Sequence, residues 1–109
     1  MEIKQQNVSA QGIKFVAVYE NKEVGRAYLY LMYNDLHKEP FGYMEDVFVD
    51  EEYRGKGIGT KLVNELIEIA KRQNCYKLFA TSRYERTKVH DLYTKIGFED
   101  WGKNFRMNF

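Results

Sequence analysis

The sequence predicts a mixed α/β (α+β) fold: a mostly antiparallel sheet with one parallel strand pair and two main helices covering it. Strand-like alternation fills the first half of the chain, and the clear helical periodicities, near 60–73 and 87–96, lie in the second half. From Val49 to Leu78 a strand, a helix and a strand follow one another, a crossover that lays its two strands parallel.

Each element has its own signal. Ile3 to Ser9 is read as a first strand on weak alternation, and Ile13 to Tyr19 as a second. Glu20-Asn-Lys-Glu23 is the turn of a hairpin, and Val24 to Tyr33 is a long aromatic and aliphatic strand. A polar loop from Asn34 closes at Pro40, and Tyr43 to Val49 forms the next strand. From Thr60 to Gln73 the residues Leu62, Val63, Leu66, Ile67, Ile69 and Ala70 mark one face of a helix, with charged residues opposite. Lys77 to Thr81 is a short strand. Thr87 to Ile96 is a second helix, stopped at Gly97. Phe98 to Trp101 and Phe105 to Phe109 are expected to pair as a hairpin turning at Gly102-Lys-Asn104.

Bulk properties narrow the function. The 109 residues fit a single domain (1–109) with one core. Seventeen basic and sixteen acidic residues leave a charge of +1, which argues against a nucleic-acid or anionic-membrane surface. The lone Cys75 excludes an internal disulfide and a multi-cysteine metal site, and no metal is expected. No apolar run spans a bilayer and Met1-Glu-Ile-Lys lacks a signal peptide's apolar stretch, so the expected compartment is cytoplasmic.

The most informative segment is Val47-Phe-Val-Asp-Glu-Glu-Tyr-Arg-Gly-Lys-Gly-Ile-Gly-Thr60, a strand running into a loop with glycines at 55, 57 and 59 and then into a helix. Glycines let backbone N–H groups turn toward a ligand, and the first helical turn adds unpaired donors and the positive end of its dipole. Together they form a cradle for a phosphate or pyrophosphate. The spacing fails the Walker loop, because Thr60 and not Gly stands five positions after Gly55. It fails the dinucleotide fingerprint too, since the third glycine comes one residue early, at 59.

Arg54-x-x-Gly57-x-Gly59, following Glu45-Asp-Val-Phe-Val49 and preceding a helix, closely resembles the acetyl-CoA-binding motif of the GNAT superfamily of N-acetyltransferases. Leu92-Tyr-Thr-Lys-Ile-Gly-Phe98 resembles the family's Tyr-x-x-x-Gly-Phe element, so the resemblance covers roughly Gly42 to Phe98. It implies that the parallel strand pair splays apart and that the pantetheine arm of acetyl-CoA lies in the gap. Carried over by position, Val47, Phe48 and Val49 flank that arm, and Arg54, Gly55, Lys56, Gly57, Ile58, Gly59 and Thr60 wrap the pyrophosphate. Arg54 and Lys56 can equally be ordinary solvated charges.

Two residues are the catalytic candidates. Transfer from a thioester expels a thiolate, which a phenol can protonate; the resemblance gives that role to Tyr93, which otherwise packs on the apolar stripe of its helix. The attacking amine is protonated at neutral pH, with a reference lysine value of about 10.4, and needs a base. Alternation sets Glu45 with Tyr43 and Val47, and Asp46 with Met44 and Phe48, unless a bulge intervenes. The segment Tyr43-Met-Glu-Asp-Val-Phe-Val49 is similar to spermidine/spermine N-acetyltransferases, whose glutamate is the base, so Glu45 is preferred over a merely solvated carboxylate. A strand amide near Phe48 or Val49 would hold the oxyanion. His37 and His90 are weaker bases, and Cys75 is expected to be dispensable.

Most members of the superfamily carry one or two helices between their first two strands, walling the acceptor pocket, whereas here Ile13 already begins a strand. That leaves a protein or peptide amine, a small cationic amine, or a homodimer whose second subunit completes the wall. Arg86 stands where many relatives have a cofactor-binding asparagine. The expected function is acetyl-CoA-dependent N-acetyltransfer by direct attack. The alternative is a non-catalytic CoA-binding or interaction module.

Overall fold

Leucines and alanines on alternate positions of one strand decide which face of the sheet becomes the core. The structure, a computed structural model, describes all of residues 1–109. Strand β1 (Ala10–Tyr19) pairs antiparallel with β2 (Lys22–Met32), and β2 with β3 (Phe41–Val49). A short 3-10 turn (Glu51–Tyr53) leads to helix α1 (Ile58–Arg72), then to β4 (Leu78–Ala80) and helix α2 (Thr87–Ile96). The sheet order is β1-β2-β3-β4, with β4 parallel to β3. The mixed sheet, its one parallel pair and both helices agree with expectation, and α1 begins two residues early, at Ile58.

Between β1 and β2 the two loop residues Glu20 and Asn21 have φ of 49° and 64°, the left-handed pair that matches a tight hairpin to the twist of its strands. Ala27, Leu29 and Leu31 of β2 point to one face and are fully buried against Leu62, Val63, Leu66 and Ala70 of α1, with Met44 of β3 joining them. Apolar burial of this kind stabilises by about 25 cal/mol per Å², so this single layer holds the helix to the sheet. Helix α2 sits at its margin. Tyr93, Ile96 and Phe98 touch the core, yet no residue of α2 is fully buried.

Three expectations need correction. Residues 3–9 form no strand; Ile3 and Val8 are five positions apart, so an extended chain sends them to opposite faces and neither face is apolar. The terminal hairpin is absent as well. None of Gly102, Lys103 and Asn104 takes a left-handed φ, so the chain runs through without the tight turn the pairing needs. Third, the face assignment in β3 changes halfway. Tyr28 pairs with Glu45 and Arg26 with Phe48, so β3 holds one residue more than β2 between those pairs. Asp46 lies within this bulge, with φ of 52°.

Candidate active site

Strand β3 loses one neighbour halfway along. Gly42, Tyr43 and Met44 pair with Leu78, Phe79 and Ala80, after which β4 ends while β3 continues for five residues. Those five residues keep β2 on one side and face a gap on the other. The N–H of Asp50 bonds the Val24 carbonyl at 2.8 Å, and the Phe48 carbonyl lies 3.1 Å from where a Cβ on Gly25 would stand. Phe48 and Asp50 therefore aim backbone groups at β2, and the alternate groups, the Val47 carbonyl and the Val49 N–H and carbonyl, face the gap. Of the three strand residues expected to flank a bound arm, Val47 and Val49 present hydrogen-bonding groups there. Their side chains pack on the core and that of Phe48 is exposed.

The bulge sets where the carboxylates go. Val47 turns inward, on the same side as Met44, while Glu45 and Asp46 both stay exposed. Glu45 therefore shares its face with Tyr43 but not with Val47, as simple alternation required. The Asp46 carboxylate takes two bonds from Arg26 of β2, Nε to Oδ2 at 3.3 Å and Nη2 to Oδ1 at 3.2 Å. This pairing raises the Arg26 value. The Asp46 N–H donates to Oε1 of Glu45 at 3.2 Å, which fixes the direction of that carboxylate. Across the start of the gap, the Tyr43 and Thr81 hydroxyls are 3.1 Å apart. Burial pushes the Tyr43 phenol up, and the Thr81 hydrogen bond partly offsets this.

Helix α2 brings Tyr93 toward the same place. Its ring lies 5.4 Å from that of Phe98, and burial pushes its phenol above the ordinary value. Arg86 acts to lower that value and the Glu45 charge acts to raise it, so all three groups share one electrostatic neighbourhood. A phenol held this way stays protonated at neutral pH and can donate.

Beyond the gap, Gly55 and Gly57 have φ of 79° and 81°. No atom lies within 4 Å of a Cβ added at either, so the demand for glycine there is conformational and not steric. Gly57 is the N-cap of α1, whose first intrahelical bond runs from Lys61 to the Gly57 carbonyl, and no side chain caps the helix. The N–H groups of Ile58, Gly59 and Thr60 are thereby left for a ligand. This cradle suits a phosphate or pyrophosphate. Arg54 donates from Nε to the Val49 carbonyl at 2.8 Å, and its guanidinium lies 5.3 Å from the Phe48 ring centroid. The Lys56 ammonium sits over Tyr53 and Tyr19, at 5.2 and 5.7 Å.

The remaining candidates lie elsewhere. His90 Nε2 is 2.8 Å from the Arg83 carbonyl, and the His37 ring stacks 4.3 Å from Tyr76. No group of three His, Cys, Asp or Glu side chains could hold a metal ion, and no helix is long and apolar enough to cross a membrane. Arg26 and Thr81 were not expected at the site. Each reaches it from a separate strand or loop, and no local signal in the sequence marks such a pair.

A gap between parallel strands, closed at one end by a glycine-lined helix start, defines an acyltransferase-type α/β fold. A putative acetyltransferase from Agrobacterium tumefaciens superimposes with a TM-score of 0.84 at 30% identity, over 90% of this chain and 69% of that one. The model of the Acetyltransferase (GNAT) family matches residues 2–98, and the chain belongs to that family. Among curated relatives, the glucosamine 6-phosphate N-acetyltransferase of Trypanosoma brucei brucei is 37% identical over 67 residues, 62% of this chain and 44% of that protein. The thialysine N-epsilon-acetyltransferase of Bos taurus is 36% identical over 58 residues, 53% of this chain and 34% of that protein. The chain thus spans less than half the length of these curated relatives.

Proposed function

We propose that this chain is an N-acetyltransferase that moves an acetyl group from acetyl-CoA directly to a primary amine. The observation that supports it best is the continuous path from the glycine cradle, along the edge of β3 that β4 leaves unpaired at Val47 and Val49, to the point where Glu45 and Tyr93 share one neighbourhood. The amides of Ile58, Gly59 and Thr60 hold the pyrophosphate, and Arg54 adds positive charge beside it. Acetyl-CoA supplies the activated acyl group.

Glu45 takes a proton from the attacking amine, its carboxylate aimed by the Asp46 N–H. The backbone N–H of Val49 stabilises the negative charge on the acyl oxygen. Tyr93 gives its phenolic proton to the departing thiolate, and burial keeps that proton in place until then. No side chain becomes acylated. The buried-side Cys75 thiol, raised by desolvation, takes no part.

Calorimetric titration with acetyl-CoA tests the reading. The expected dissociation constant is about 1–100 μM, roughly −8 to −5.5 kcal/mol. Silence at two temperatures would remove the acetyltransferase reading for the isolated chain. Binding without CoA release in the presence of any of the amines tried would favour a CoA-binding module instead.

A further inference from the structure

The face of the sheet turned away from α1 carries no helix, and three residues line up across it. Lys14 of β1 pairs with Tyr28 of β2, and Tyr28 pairs in turn with Glu45 of β3. Directly paired residues share a face, and this face is opposite to the buried Ala27 and Leu29. A cation, a ring and a carboxylate thus stand in one row across the strands. The Lys14 ammonium leans toward β2 and lies 5.8 Å from the Tyr28 ring centroid. Glu45 is the proposed base, its carboxylate directed by the Asp46 N–H. Two strand spacings, on the order of 10 Å, separate the backbones of Lys14 and Glu45.

The rows on either side leave these two charges as the ones a ligand meets. Toward one end of β2, Arg26 is bound to Asp46 through two hydrogen bonds, so its charge is already answered. Toward the other end, Tyr30 lies parallel to Tyr28, with ring centroids 6.3 Å apart and 5° between the planes. Tyr30 offers a half-buried aromatic wall and no charge. Neither Lys14 nor Glu45 is in an ion pair; those of the molecule are Arg26–Asp46 and Lys71–Glu68. An amine that carries only positive charge would bring its second cation against the like charge of Lys14. An amine with an anion at its far end meets an opposite charge there.

The geometry points to an acceptor that is an amine and an anion at once: its nitrogen at Glu45, its short apolar stem over Tyr28, and its carboxylate or phosphate at Lys14. This rests on the acetyltransfer proposed for Glu45, and it names Lys14 as the residue that selects among amines. A stem of five methylenes between amine and carboxylate spans about 8 Å, from six bonds of about 1.5 Å. That length fits the row once Lys14 has leaned inward over Tyr28. Lys14 is exposed, so its attraction is screened by water and salt and stays modest, about fivefold in affinity. The stem adds contact with the ring of Tyr28. A small amine that is cationic at both ends is the acceptor this row disfavours.

Steady-state transfer at saturating acetyl-CoA tests this with three amines of similar length: ε-aminocaproate, hexylamine and hexamethylenediamine. An ω-aminoalkyl phosphate of the same reach distinguishes a phosphate-bearing acceptor from a carboxylate-bearing one, the faster of the two identifying the anion. The expected kcat/KM is about fivefold higher for ε-aminocaproate than for hexylamine. It is lowest for hexamethylenediamine, and the differences shrink as salt is added. Lys14→Gln should erase the preference through KM, and Lys14→Arg should keep it. Lys14→Glu should put hexamethylenediamine first. Lys14 is exposed on its strand, so these variants should keep the circular dichroism of the parent. Equal kcat/KM for the three amines overturns the selection and leaves the acetyltransferase reading standing. So does an order that Lys14→Glu does not change. Transfer to none of them, while calorimetry shows acetyl-CoA bound, overturns both.

Discussion

The two halves of β3 differ in one respect, and the candidate site follows from it. From Phe41 to Met44 the strand has β2 on one side and β4 on the other, and Gly42 and Met44 are buried. From Glu45 to Val49 it keeps β2 and loses β4, and three of its five side chains are exposed. The first half is spent on the core. The second leaves backbone donors and acceptors unclaimed beside a helix start, which a ligand with an extended polar arm can complete as an added strand. A binding surface here arises from a pairing withheld.

Substitutions can break this contrast on either side. The largest effect is expected from Met44→Ala in the paired half, where a 2% exposed side chain leaves a cavity. Urea denaturation should show a loss of about 2–5 kcal/mol. A loss below about 1 kcal/mol would mean that the paired half is not the structural anchor. Tyr93→Phe is next, lowering kcat about a hundredfold while calorimetry shows unchanged acetyl-CoA affinity. An unchanged rate would take the proton donor away from Tyr93.

Gly57→Ala places a side chain at φ of 81° in open space, so its effect should be purely conformational. The left-handed penalty of about 1–2 kcal/mol should weaken acetyl-CoA binding about tenfold. Gly57→Asn, which tolerates that conformation better, should lose less; an equal loss would show that the missing side chain matters for close approach. The smallest effect concerns alkaline pH. Burial holds the Cys75 thiol and the Tyr43 and Tyr93 phenols above their ordinary values of 9.0, 10.0 and 10.0. The unfolded chain then releases these protons first. Stability is therefore full below about pH 9 and declines as pH rises through the folded values. Tyr93→Phe should flatten part of that decline in denaturation curves taken across the range.

Local rules carried much of this into view. The stripe of Leu62, Val63, Leu66 and Ala70 marks the buried face of α1, and Gly55 and Gly57 mark the loop where left-handed backbone is needed. The bulge was not legible, because Glu45-Asp46 reads equally well in either phase and only the pairing to Arg26 and Tyr28 shows the slip. The ion pair of Arg26 with Asp46 joins residues twenty apart, a separation that periodicity does not sense. Phe105-Arg-Met-Asn-Phe109 alternates as a strand would, but alternation names no partner, the turn expected to supply one is not made, and the segment forms no strand.

Asp46 also carries a consequence for how this sequence can vary. A residue inserted out of phase divides β3 into two registers, one locked to the core and the other to the gap. Ironing the bulge into regular pairing at unchanged length would turn Val47 and Val49 outward and drive Phe48 into the protein, inverting the downstream half, whereas deleting Asp46 itself would restore simple alternation and keep Val47 and Val49 inward. The strand is thus a coupling of two independent gears. Drift in the identity of side chains is tolerated on either, whereas losing the bulge at their joint without losing a residue reverses the sense of everything that follows.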